Sequence, residues 1–193
     1  AARQALLVSL LKDETRLVRM DAARELAGDG ERGLAPEHRQ LFEEAIAEYV
    51  AAQLFNAERP ESHANLGALY FKRGRTGEAR AAFAEAIAID PTFVPAAISL
   101  ADLERSGGNE RAGESILMKS LAINPRSGPL LHALGLNLVR QKRHDEALEK
   151  LAEAAKLAPE DPRFSYVLAV AKHSGGNTRD AINILKSALI RHP

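Results

Sequence analysis

A proline returns at Pro91, Pro125, Pro159 and Pro193, each 34 residues after the last, with no insertion or deletion between them. A period of that length marks a chain built from stacked supersecondary units rather than around one central core. Aligned on the prolines, the blocks 58–91, 92–125, 126–159 and 160–193 share one pattern. A leucine recurs as Leu66, Leu100, Leu134 and Leu168, followed by the small residues Gly67, Ala101, Gly135 and Ala169. Two more columns are small throughout: Ala79, Gly113, Ala147, Ala181, and Ala86, Ser120, Ala154, Ala188. Between them runs a large apolar column of Phe83, Leu117, Leu151 and Leu185. Even at this chain's own alanine, glycine and serine usage, twelve small residues in twelve such cells arise by chance roughly once in a million.

Within each block, apolar residues at helical spacing fall in two runs, which predicts two helices of about 13 residues joined by a turn. The predicted turns are 74–77, 107–109, 142–145 and 175–178, with Asp145 and Thr178 as expected caps of the following helices. Small residues at three columns let the helices approach closely. Each proline stands just past a second helix and forbids its continuation. Replacing Gly67 or Ala147 by leucine is expected to cost about 1–3 kcal/mol through overpacking.

These residues resemble the tetratricopeptide repeat (TPR) family, whose 34-residue unit places Leu-Gly, Tyr, Ala, Phe, Ala and Pro at fixed offsets. Block 58–91 matches best, with Leu66-Gly67, Tyr70, Gly74, Ala79, Phe83, Ala86 and Pro91. The later blocks carry Glu104, Leu138 and Lys172 in place of the tyrosine. Residues 37–57 look like the second half of a further repeat, since Ala45, Tyr49 and Ala52 stand one period before Ala79, Phe83 and Ala86. Residues 1–29 resemble a single HEAT repeat or an unspecialised helical hairpin, followed by a glycine-rich connector to Pro36. In a HEAT unit Asp13 of the turn and Arg19 of the next helix would pair. The fold class is therefore expected to be all-α, a right-handed α-α superhelix with a HEAT-like amino-terminal hairpin.

A HEAT-like hairpin leading into such repeats also resembles the carboxy-terminal region of certain bacterial multihaem cytochrome c family proteins. There CxxCH motifs sit in a separate upstream domain; this chain has no cysteine. That resemblance implies a periplasmic or exported setting, and without it the reading is cytoplasmic. The start Ala1-Ala2-Arg3 reads as an excised or processed piece.

Catalytic chemistry finds no support in the pattern. Gly107-Gly108 and Gly175-Gly176 read as interhelix turns rather than phosphate loops. No HExxH or GxSxG occurs. The histidines are spread along the chain, and His132 and His173 are too far apart to share an ion, so no metal or cofactor is expected. Lysine plus arginine and aspartate plus glutamate both total 26, which gives no field for nucleic acid or an anionic membrane.

What remains is a surface. In the TPR family the first helix of each pair lines an inner groove. The matching places carry Asn65, Phe71 and Lys72, then Ile98, Asp102 and Arg105, then His132, Leu136 and Arg140, then Arg163, Tyr166 and His173. Val139 and Val170 join them, though Leu136 and Val139 read equally well as core. The residues that grip a terminal carboxylate in chaperone-binding members are replaced by Ala64, Ala68, Pro95 and Ser99. The expected function is a non-enzymatic scaffold for a protein or peptide with apolar side chains and some acidity. The alternatives are a structural module of a larger exported protein, or a homodimer formed through the last helix, near Ile182, Leu185 and Leu189.

Overall fold

The computed structural model describes residues 2–191; Pro193, the fourth stop proline of the pattern, and His192 lie outside the described residues. Eleven α-helices and no strands are found among them. The chain divides into two compact units, the first up to Ser99 and the second from Leu100, with the division falling inside one helix.

The first unit holds α1 (Ala2–Leu10), α2 (Arg16–Leu26), α3 (Pro36–Leu54), α4 (Pro60–Lys72), α5 (Thr76–Ile89) and the opening turns of α6 (Val94–Ser106). Its amino-terminal core gathers Leu11, Ala22, Ala23, Leu26, Leu34, Phe42, Ala45, Ile46, Tyr49 and Leu69. The α1–α2 hairpin thus buries its apolar face on α3 and reaches α4. Each large side chain so buried is worth about 1.5–3 kcal/mol. The expected Asp13–Arg19 carboxylate pair does not form. Arg19 donates to the backbone oxygens of Asp13 and Glu14 and sends its other nitrogen 2.7 Å to Glu48 on α3, while the Asp13 carboxylate caps the Thr15 amide at 2.8 Å. The arginine side chain is long enough to span two helices, whereas the short aspartate is taken up by its own turn.

The glycine-rich connector is packed rather than loose. Gly28 has φ +91°, and a Cβ there would fall 2.7 Å from the Lys72 carbonyl oxygen. Arg73 ties the connector down, bonding Glu31 at 3.1 Å and Glu43 at 2.5 Å and lying over the Phe42 ring at 5.2 Å. Those carboxylates raise its already high pKa against the opposing effect of burial.

The second unit holds the rest of α6, α7 (Glu110–Ile123), α8 (Gly128–Arg140), α9 (His144–Leu157), α10 (Pro162–Ser174) and α11 (Thr178–Arg191). In both units the small columns do what the pattern asks. A Cβ on Gly67 would lie 2.6 Å from Phe83 Cδ1, and one on Gly135 would lie 2.7 Å from Leu151 Cδ2. Prolines also start helices: α3, α4 and α10 begin on Pro36, Pro60 and Pro162, where the missing amide hydrogen costs nothing. The helix-stopping prolines Pro91, Pro125 and Pro159 follow the ends of α5, α7 and α9 by two residues.

The four interhelix turns are one structure repeated. Gly74, Gly108, Lys142 and Gly176 stand 34 residues apart, and all have positive φ, Lys142 at 63°. Each amide donates three residues back, and the next amide donates five back, as in Arg75 N to Tyr70 O at 2.8 Å and Arg143 N to Leu138 O at 3.0 Å. These are Schellman closures of the first helices. The expected caps shift by a residue or two. Asp145 lies inside the first turn of α9, whose N-cap is Arg143. At α11 the capping oxygen belongs to Asn177, 3.3 Å from the Asp180 amide, while Thr178 Oγ1 meets His173.

Candidate functional site

The groove places are filled differently in the two units. In the first, Asn65 is exposed on α4 and donates to Gln53 Oε1 at 3.1 Å. Phe71 is 38% exposed, Lys72 is exposed and Ile98 half-buried.

In the second unit the structure brings Leu136 and Val139 of α8 together with Val167, Val170 and Ala171 of α10. Ala147, Leu148 and Leu151 of α9 floor the space between them, and His144, Asp145, Ser174 and Gly175 close one end. The pocket has a volume of about 430 Å³, enough for one or two large apolar side chains. Leu136 and Val139 are half-buried and Val170 is 46% exposed, so they serve both as core and as accessible wall. Tyr166, 60% exposed, stands one turn before Val170 on the same helix. The contribution of Leu148 is not visible from the groove places alone. Its signal lies in another column, where Arg80 and Glu114 give way to Leu148 and Ile182.

Three of the four cations of the groove places have internal partners. Arg105 bonds Asp102 at 3.1 Å, Arg140 bonds Glu110 at 3.0 Å and Arg163 bonds Asp161 at 2.6 Å. An acidic ligand would therefore have to exchange with a carboxylate already in place, and such exposed exchanges gain little. His173 is held by Thr178 at 3.0 Å. His132 is half-buried and stacks on Phe164, the ring centroids 4.6 Å apart, and its Nδ1 is buried without a partner. Burial pushes its pKa below the ordinary value, Arg163 adds to the push, and Asp161 opposes it.

A shallower hollow of about 660 Å³ lies in the first unit, between α1 and the start of α3. No group of three or more potential metal ligands occurs among the described residues. Nor, among them, is any helix long and apolar enough to cross a membrane.

Paired helices with small residues at their contacts, closed by the same turn every 34 residues, are the arrangement of tetratricopeptide repeats, and the chain carries such repeats. The family models for the tetratricopeptide repeat match residues 60–93 and 138–193. Neither span includes the hairpin 1–29, and the likeness to multihaem cytochromes rests on the sequence pattern alone. The type IV pilus assembly protein PilF of Pseudomonas aeruginosa is 32% identical over 108 residues, 55% of this chain and 43% of that protein. The chain spans less than half the length of the curated relatives it matches. Among solved structures, MamA from Desulfovibrio magneticus RS-1 covers 99% of this chain, and 96% of its own is matched, with a TM-score of 0.63 and 14% identity. YrrB, described as a TPR protein with an unusual peptide-binding site, covers all of this chain and matches over 93% of its own, with a TM-score of 0.55 and 17% identity. The fold class is the all-α tetratricopeptide-repeat solenoid. Proteins of that class are in general interaction scaffolds.

Proposed function

We propose that this chain is a non-enzymatic interaction scaffold that takes a peptide segment or partner domain on the exposed faces of its first helices. The observation that carries this reading is the pocket between α8 and α10. It is lined by aliphatic side chains and has Tyr166 a turn away. Open apolar pockets with an exposed aromatic beside them are where binding energy concentrates. The ligand is anchored by its apolar side chains, since three of the four groove cations already have carboxylates. Asn65, Phe71, Lys72 and Ile98 supply the corresponding surface of the first unit. A solved protein of the same fold has a peptide-binding site, which agrees with the reading.

The test is a random peptide library selected on the full chain, with affinities then measured for wild type, Val170→Asp and Tyr166→Ala. The expected result is a set of peptides sharing one large apolar residue, weakened about tenfold or more by either substitution, as for buried interface anchors. Selected peptides that bind both variants as well as wild type would overturn the proposal.

A further inference from the structure

The pocket between α8 and α10 lies where three side chains of the preceding junction have been cut away. One period before Ala171, Ser174 and Gly175 of the α10 wall stand Asn137, Arg140 and Gln141 of α8. Those three fill the junction between α7 and α8. Asn137 donates to the Glu110 carboxylate at 2.9 Å, Arg140 bonds the same carboxylate at 3.0 Å, and Gln141 reaches Glu114 at 2.7 Å. Between α9 and α10 all three are reduced to small residues, and the places of Glu110 and Glu114 carry His144 and Leu148. The space of about 430 Å³ opens beside them.

An acceptor remains at the closed end. Asp145 is the one carboxylate among the lining side chains, which include no lysine or arginine. It does not cap its helix, whose N-cap is Arg143, and among the described residues no cation pairs with it. The nearby Arg140 and Arg143 are held by Glu110, Glu114 and Glu146. One period before and after, the place of Asp145 is Arg111 and Arg179, so the charge belongs to this pocket alone. We propose that the segment held here brings an arginine, its stem along Val170 and Ala171 and its guanidinium on the Asp145 carboxylate. It would do for this junction what Arg140 does for the one before. The proposal rests on the pocket being a peptide site, and it makes the ligand basic where the groove cations suggested some acidity. Arginine suits the site better than lysine, because its planar fork can meet both carboxylate oxygens while its weakly hydrated head tolerates aliphatic walls. No existing ion pair is broken when it binds.

The probe is a random peptide library selected on the full chain and, separately, on Asp145→Arg. Wild type is expected to enrich arginine at a fixed distance from the shared apolar residue, and Asp145→Arg to enrich glutamate or aspartate there. In a peptide from the wild-type selection, replacing the arginine by glutamine should weaken binding by about fivefold or more, and replacing it by lysine by less. Asp145→Asn should remove the difference between the arginine and glutamine peptides. Ser174→Arg, which restores the side chain of the preceding junction, should fill the site and weaken the arginine peptide by about tenfold. Asp145 and Ser174 are exposed, so these variants keep their fold, and circular dichroism checks this. The inference is overturned if the selected peptides carry no arginine preference, or if Asp145→Asn leaves the difference between the two peptides intact. Peptides that still share an apolar residue and still fail on Val170→Asp would then leave the pocket a peptide site without this specificity. Peptides indifferent to Val170→Asp would overturn both.

Discussion

Two successive junctions in the second unit share a register and differ in chemistry. Between α7 and α8 the contact is polar. Asn137, 1% exposed, donates to the Glu110 backbone oxygen at 3.1 Å and to its carboxylate at 2.9 Å. Gln141 joins Asn137 Oδ1 to Glu114, at 2.7 Å on each side, and Arg140 and Arg143 complete the two carboxylates. Between α9 and α10 the contact is aliphatic, with Leu151 fully buried and a pocket left beside it. The small columns set the spacing of the helices, and the larger side chains decide what each junction tolerates. A satisfied polar network accepts one geometry, whereas an aliphatic junction can leave space that a ligand fills. Units alike in backbone therefore need not be alike in use.

The comparison breaks most visibly at the large apolar column. Leu151→Ala should cost about 2–5 kcal/mol, because a fully buried leucine leaves a cavity. Leu185→Ala, the same change one period later at a partly exposed place, should cost well under half of that. Urea unfolding of both variants checks the pair, and equal losses would mean that α11 is covered as α9 is. Next in size is Asn137→Ala, expected to cost about 1–3 kcal/mol by leaving Gln141 and Glu110 short of a partner. Adding Gln141→Leu should recover part of the loss, since replacing both partners is cheaper than stranding one.

The period, the helix pairs, the stop prolines and the close approach at Gly67 were all legible in the sequence, because each depends on spacing along one chain segment. Leu136, Val139 and Val170 came from the groove places that the family resemblance implies, and the structure sets them around one pocket. The electrostatic partners were not legible. Arg140 finds Glu110 thirty residues away, and Arg19 passes over Asp13 for Glu48. Such pairings depend on how two helices are rotated against each other, which no local spacing encodes. The caps failed for a different reason: Asp145 and Asn177 both have capping chemistry, and a shift of one or two residues in the helix start decides which is used.

A smaller effect tests the joint at His132. Its folded-state pKa lies below the ordinary value near 6.5, chiefly through burial. As pH falls through that ordinary value, the unfolded chain takes up the proton before the folded one does. Stability is therefore full above it and declines towards the depressed folded pKa. Besides the stacked Phe164, the charged groups acting on the ring are Arg163 and Asp161. Urea midpoints measured between about pH 7.5 and pH 5.5 should fall for wild type and fall less for His132→Leu. Parallel pH profiles for the two chains would remove His132 from the account.

The smallest prediction concerns the turn that joins α8 and α9. Its left-handed residue is Lys142, while the three equivalent turns use Gly74, Gly108 and Gly176, around which a Cβ would meet nothing within 4 Å. Space is therefore not the reason for glycine; the backbone angle is. A side chain in that region costs about 1 kcal/mol, part of which glycine returns as unfolded-state entropy. Lys142→Gly should raise stability by about 0.5–1 kcal/mol, with the Schellman hydrogen bonds unchanged. The reverse change, Gly108→Lys, should lower it by a similar amount. If Lys142→Gly is neutral or harmful while Gly108→Lys is costly, the two turns are not equivalent. Some contact of the Lys142 side chain would then be holding a strained turn in place.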